Sequence, residues 1–382
     1  MKVLIIGEHY SSNLGDGVIC KSVEYLIKEA YPMSDISISD LTSRTGYKIE
    51  DTEPELSNNL QRSKKAIKNY LNKFIYRFQY LKYKDLNGRK HQADFIKNTC
   101  NDHFDIAVFA GGQLFLDYFC ISIERHVKEL SKKNVPIIFN ACGLGSIKCS
   151  VLLGKLINAL RHQNIKSITS RDDVYKINKL LLNNSNIIAT QSYDPALWAS
   201  EVFQIQKKKS EVVGLGVIRL NSELDNEVFR IYTNLIKELD KRDIKWELFC
   251  NGSETDYELA KEIANYCGKN NSVLAERPIF PRELVNTISR YRSIISCRLH
   301  SHIIATSLDI PSIAISWDEK VKFFFENIDC IDRCFDIYVD HSELINKLIS
   351  AENVGYNKKI IETQKNKLMK TLIENIKSHV RY

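Results

Sequence analysis

The sequence predicts an α/β protein of two domains, each a mostly parallel sheet covered by helices on both faces, with a cleft between them. Three observations carry this. Short apolar runs suited to buried strands alternate with longer amphipathic stretches along most of the chain, the pattern of βα units rather than of hairpins. At residues 204–210 the alternation pauses, with Lys207, Lys208 and Lys209 in a row, and then restarts. A chain of 382 residues also exceeds the roughly 250 to 300 residues at which a single core tends to split.

The elements follow in order. Residues 3–6 read as a strand, 7–17 as a loop, and Ile19, Val23, Leu26 and Ile27 recur at helical spacing. A strand is expected at 36–38, then a basic helical segment, then a buried strand at 104–109. A helix at 121–130 and a strand at 136–140 lead into Ala141, Cys142, Gly143, Leu144 and Gly145. Helix 152–160, strand 167–169, helix 172–182 and strand 187–189 complete the first sheet. The second is expected from strands at 212–218, 246–249, 272–274, 293–296 and 312–315, with helices at 229–239, 257–266, 281–289 and 302–308. Residues 358–379 form one long helix. The predicted domains are therefore 1–206, with a basic helical insertion at about 60–92, and 207–355. The remaining residues, 356–382, are expected to cross back onto the first domain.

Hydrophobic residues make up 44% and charged residues 26% of the chain, with seven prolines, a globular composition that argues against disorder. The opening apolar run is too short for a signal peptide or a membrane span, so a cytoplasmic protein is expected. Ten cysteines, scattered singly, read as buried reduced thiols. The net charge of +7 is unevenly placed: ten Lys and Arg residues fall between Arg62 and Lys90. Ile67, Leu71, Phe74, Ile75, Phe78 and Leu81 there suggest an amphipathic helix. Its basic face is either a solvated surface or a contact for anionic lipid or an anionic acceptor, which would place the protein peripherally on the inner face of the cell membrane. No base-reading motif accompanies this stretch, so nucleic acid is not an expected partner.

Open parallel sheets bind ligands beyond the carboxyl ends of their strands, and four loops there stand out. In the first, Asn13, Leu14, Gly15 and Asp16 open a helix whose free amides suit an anion or sugar hydroxyl. Asp16 either contacts ligand or caps that helix. In the second, Gly111, Gly112 and Gln113 allow close backbone approach to substrate but lack dinucleotide or Walker A spacing. In the third, Ser170, Arg171 and Asp172 offer an arginine fork for a carboxylate or phosphate, or else a surface ion pair, with Asp172 capping the helix or holding Arg171. The fourth loop, Ser296, Cys297, Arg298, Leu299, His300, Ser301 and His302, puts an anion-binding arginine beside a histidine able to exchange a proton near neutral pH. His302 is expected to face inward. No cluster has metal-ligand spacing, so no metal and no bound cofactor are expected.

Taken in order, Asn13-Leu14-Gly15-Asp16, Ala110-Gly111-Gly112, Ser170-Arg171-Asp172, Tyr193-Asp194-Pro195-Ala196, Arg298-Leu299-His300 and Trp317-Asp318-Glu319-Lys320 resemble the polysaccharide pyruvyl transferase family. Ser301, where many relatives have glycine, and Trp317, where tyrosine is more usual, depart from its pattern. The resemblance implies two Rossmann-like domains in a glycosyltransferase-B-like fold. It implies phosphoenolpyruvate as co-substrate, a sugar or lipid-linked oligosaccharide of a cell-surface polysaccharide as acceptor, and a pyruvate ketal as product. By the same resemblance Arg171, Arg298, Leu299 and Lys320 bind the donor and His300 and Asp16 are catalytic. Asn13, Gly15, Gly111, Gly112, Gln113 and Glu319 line the acceptor side or the cleft. A nucleotide-sugar-dependent glycosyltransferase and a noncatalytic binding protein for polysaccharide export are the rival readings, separated by donor trials and by turnover.

Overall fold

The structure, a computed structural model, describes residues 1–47, 86–183, 185–220 and 222–380. Most of the basic insertion, from Arg62 to residue 85, lies outside the described residues; a helix spans Leu86–Thr99.

The first sheet contains β1 (Lys2–Gly7), β2 (Asp35–Asp40) and β3 (Ile106–Phe109). After β3 a short strand β4 (Gly112–Phe115) leaves the sheet, and β5 (Ile137–Phe139) returns to it. Strand β6 (Cys142–Leu144) then pairs with β4, and β7 (Ile165–Ser170) and β8 (Thr190–Gln191) complete the set. The order β2-β1-β3-β5-β7-β8 is parallel throughout. The second sheet is built from β9 (Val213–Gly216), β10 (Trp246–Phe249), β11 (Ser293–Ser296), β12 (Ser312–Ser316) and β13 (Cys334–Asp336), parallel in the order β10-β9-β11-β12-β13.

Alternation along the strands sorts the core. Leu4, Ile6, Phe109 and Phe139 join one buried cluster, whereas Val3, Ile5 and Val108 point to the other face of the same sheet. That second face shares a single apolar cluster with the C-terminal half. Val18 and Val23 of α1 (Leu14–Ala30) belong to it, as do Leu284 and Ile288 of α2 (Pro281–Ser289) and Ile303 of α3 (Leu299–Ser307). The far face of the second sheet has its own core around Leu215, Leu235, Ile263 and Ile313. Helix α4 (Lys358–Lys377) adds Ile361, Leu368, Leu372 and Ile376 to the shared cluster, and Lys365 pairs with Glu201. The two sheets are thus joined by continuous apolar packing beneath the crevice where their strand ends meet.

Two expected strands are corrected. Residues 272–274 form a 3-10 turn, Asn271–Val273, because the Asn270 side chain takes the Ser272 amide and hydroxyl; a single bridge joins Leu248 and Leu274. The strand expected at 187–189 is displaced to β8. Asn178 explains the shift, accepting from the Ala189 amide at 2.8 Å and donating to its carbonyl at 3.0 Å, so those groups are withheld from a ladder. The β4–β6 pair, the helices Glu319–Asn327 and His341–Val354, and β13 are elements the sequence pattern did not reveal. All ten cysteines are free thiols, eight of them buried.

Candidate active site

In each sheet the strand order reverses beside the first strand, between β1 and β3 and between β9 and β11. Ligand crevices form at such switch points. The loops after β1, β7, β11 and β12 converge there on a cavity of about 260 Å³. It is lined by Glu8, Asn13, Asp16, Gln113, Arg171, Arg298, Leu299, His300, Trp317 and Lys320, with Ser11, Leu116, Phe119 and Cys297.

His300 enters from the second residue of α3 and crosses to the first domain. Its ring lies against the backbone of Gly15, so closely that a Cβ there would sit 2.1 Å from Nδ1. Arg171, directly after β7, donates from Nη1 to His300 Nε2 at 3.2 Å and also pairs with Asp194. A guanidinium has no acceptor, so Nε2 is the unprotonated nitrogen of this imidazole. Burial lowers the His300 pKa, and Arg171 and Lys320 push the same way against the carboxylates of Asp16 and Asp194. The imidazole is therefore neutral at neutral pH. Burial also works against the Arg171 charge, but Asp194 and Asp172 outweigh it and hold its pKa above the ordinary value. Asp172 stands 3.8 Å from Arg171 Nε and accepts from the Leu144 amide at 3.0 Å. The helix cap is instead Asp173, which accepts from the amides of Tyr175 and Lys176.

Arg298 occupies the N-cap position of α3 in extended conformation without capping it. Its Nε and Nη2 donate to Asp256 Oδ2 at 2.8 and 2.6 Å, which aims the guanidinium and leaves Nη1 outside that contact. Burial raises the pKa of Asp256, and Arg298 opposes the rise. Lys320 is held on three sides: its ammonium donates to Gln113 Oε1 at 3.2 Å, pairs with Asp318 at 3.2 Å, and lies 5.1 Å from the Trp317 ring centre. Trp317 itself donates to the Cys297 carbonyl.

Two carboxyl groups face these cations. Asp16, in the first turn of α1, accepts from Asn13 Nδ2 at 2.9 Å and does not cap its helix. Glu8, the residue after β1, is pushed up to about 8 by burial and then by the charge of Asp16, against an Arg44 guanidinium 3.7 Å away. One member of the pair thus carries a proton near neutral pH, an arrangement suited to acid–base chemistry.

The cavity therefore gathers His300, Asp16, Arg298, Arg171, Leu299, Lys320, Asn13 and Gln113. Gly15 is beneath the His300 ring. Gly111 and Gly112, both with positive φ (114° and 89°), are buried behind the cavity, where a Cβ on Gly112 would lie 3.4 Å from Asp16 Oδ1. Glu319 stays outside this cavity: it is exposed, pairs with Lys176 at 2.7 Å across the two halves, and lines a neighbouring cavity with Leu144, Asp172 and Lys320. His302 is fully buried, bonded to the Ser296 carbonyl at 3.0 Å, and burial lowers its pKa to about 3. Among residues the loop reading passed over, Glu8 had a sequence signal, a lone acid directly after an apolar strand. Asp194 lay within a noted stretch without a role, and Asp256 had no signal. Among the described residues no group of three or more His, Cys, Asp or Glu could hold a metal ion, and no helix is long and apolar enough to cross a membrane.

Two Rossmann-like domains enclosing such a crevice define a glycosyltransferase-B-like fold. The S. aureus MnaA–UDP structure is similar over 99% of this chain and 96% of its own, at 9% identity and a TM-score of 0.58. A putative UDP-N-acetylglucosamine 2-epimerase from Listeria monocytogenes is similar over 99% and 96%, at 10% identity and 0.59. UDP-GlcNAc 2-epimerase from Neisseria meningitidis bound to UDP-GlcNAc is similar over 99% and 100%, at 10% identity and 0.54. These likenesses concern the fold alone. No curated protein sequence matches. The polysaccharide pyruvyl transferase family model matches residues 13–319. The chain belongs to that family and is a transferase that modifies polysaccharide.

Proposed function

We propose that the enzyme transfers the enolpyruvyl group of phosphoenolpyruvate to two hydroxyls of a sugar in a cell-surface polysaccharide or its lipid-linked precursor, forming a pyruvate ketal. The observation that carries the reading is the convergence of Arg171, Arg298 and Lys320 on one cavity beside a neutral histidine and an acid–base carboxyl pair. The donor bears a carboxylate and a phosphate, which suit two arginine forks and an ammonium.

Proton delivery to the methylene carbon of the donor makes it a methyl group and leaves the adjacent carbon electrophilic. The first sugar hydroxyl bonds to that carbon and gives up its proton. The carbon–oxygen bond to phosphate then breaks, phosphate leaves with a proton, and the second hydroxyl closes the ring as it loses its own. Glu8 is the group carrying a proton at neutral pH, and we assign it the delivery. Asp16 takes the proton of the first hydroxyl. His300 keeps Arg171 aligned through Nε2, while its Nδ1 faces the backbone of Gly15. This moves the acid role expected of His300 to Glu8. The cations stabilise the departing phosphate, and the apolar floor limits water.

The test is to incubate the enzyme with phosphoenolpyruvate and a set of nucleotide-linked and lipid-linked sugars, following phosphate release and product mass. The expected product is heavier than the acceptor by one pyruvate less water. Glycosyl transfer from a nucleotide sugar, with phosphoenolpyruvate inert, would overturn the reading.

A further inference from the structure

A second cavity, of about 420 Å³, opens on the other side of the β1–α1 loop and has no part in the chemistry above. Tyr10, Ser12, Arg44 and Tyr47 line it from the first domain, and Ser253 and Arg277 from the second. Ser11 borders both cavities, so one loop's thickness separates them.

Two arginines, Arg44 and Arg277, and one carboxylate, Glu254, are its charged lining residues, so cations outnumber acids. Arg277 donates from Nη1 to the Gly252 carbonyl at 3.3 Å and has no carboxylate partner among the described residues. Arg44 Nη1 is shielded from solvent without a hydrogen-bond partner among the described residues. Its nearby acid, Glu8 at 3.7 Å, is largely protonated at neutral pH and compensates that charge poorly. The Ser253 hydroxyl contacts Thr255 Oγ1 at 2.9 Å instead of capping the helix Glu254–Tyr266, whose first residues also line the cavity. Tyr10 packs edge-on against Tyr47 at 5.3 Å, an aromatic wall beside the arginines. Two guanidinium groups from opposite domains, with hydroxyl donors between them, suit a multiply charged phosphate ester better than a single carboxylate.

We propose that this cavity binds a phosphate or diphosphate ester carried by the acceptor, whose sugar reaches past Ser11 to the reacting groups. The assignment rests on reading the neighbouring cavity as the transfer site. It makes Arg44 and Arg277 determinants of acceptor choice and leaves Arg171 and Arg298 to the donor.

The experiment titrates inorganic pyrophosphate and, separately, phosphoenolpyruvate into the full-length protein by calorimetry, with Arg44→Ala, Arg277→Ala, Arg277→Gln and Arg298→Ala alongside. Pyrophosphate affinity is expected to fall about tenfold or more in the Arg44 and Arg277 variants and to hold in Arg298→Ala, the loss of a charge-assisted contact being of that size. Phosphoenolpyruvate should show the reverse pattern. Absent pyrophosphate binding, or binding lost only in Arg298→Ala, overturns the subsite. Failure of phosphoenolpyruvate to bind while the pyrophosphate pattern holds removes the donor assignment and leaves the anion subsite standing. Melting curves confirm that each variant is folded, and agreement between the two Arg277 substitutions separates lost charge from lost packing. Comparing UDP with a short prenyl diphosphate then distinguishes the source: tighter binding of one than of pyrophosphate identifies a nucleotide-linked or a lipid-linked acceptor.

Discussion

Replacing Gly15 with alanine adds one methyl group at the point where the two domains touch through His300. The new Cβ would lie 2.1 Å from Nδ1, 2.2 Å from Cγ and 2.4 Å from Cβ of His300. Ordinary contact begins near 3.4 Å, so the ring has to retreat by about 1.3 Å. It is a rigid, buried ring, and the displacement suffices to break its 3.2 Å contact with Arg171. Misplacement of this size costs a positioned group on the order of a hundredfold in rate, and overpacking costs about 1 to 3 kcal/mol of stability. Gly154 is the internal control, since a Cβ there meets nothing within 4 Å and it lies within the helix Ser150–Leu160. Gly154→Ala should leave turnover intact and stabilise the fold by roughly 0.4 to 1 kcal/mol. Phosphate release at saturating substrate, with a melting curve for each variant, makes the comparison. A Gly15→Ala enzyme that melts lower yet turns over normally would refute the claim that His300 must hold Arg171 in place.

Arg298→Ala should weaken phosphoenolpyruvate binding by roughly 1.5 to 3 kcal/mol, read by calorimetry, with Asp256→Asn producing a smaller loss because the fork remains but is no longer aimed. His300→Asn should lower turnover about a hundredfold by releasing Arg171 from its alignment on the departing phosphate; near-normal kcat in a folded variant counts against that role. Glu8 has its folded pKa raised above the unfolded value, so its contribution to stability is present at acid pH and is lost as pH rises toward about 8. Glu8→Gln should therefore gain stability relative to the parent in melts at pH 9 but not at pH 4, and should lose the alkaline fall in turnover along with most activity. Neutralising Lys64, Lys65 and Lys68 should reduce sedimentation with anionic vesicles, and parental binding should weaken as salt rises; equal binding by the variant would remove the membrane assignment.

The strand and helix order was legible because burial on both faces leaves a local trace: residues 246–249, 281–289 and 293–296 coincide with the observed elements. Where side chains compete for backbone groups, as Asn178 and Asn270 do, the apolar pattern misleads. The site divides along the same line. Arg171, Arg298 and His300 stand at strand ends, and their positions alone made them candidates. Their partners come from elsewhere in the chain: Asp194 holds Arg171 across 23 residues, Asp256 holds Arg298 across 42, and His300 reaches Arg171 across 129. No local periodicity encodes such pairings, so the sequence could present Asp16 as a helix cap and Asp172 as another when neither is one. The protonation states lie further still from the sequence. Glu8 is an ordinary carboxyl group until burial and the neighbouring charge of Asp16 raise its pKa, and His300 is an ordinary imidazole until it is buried against Arg171. Strand ends nominate the residues that touch substrate; the packing of one domain on the other decides which of them holds a proton.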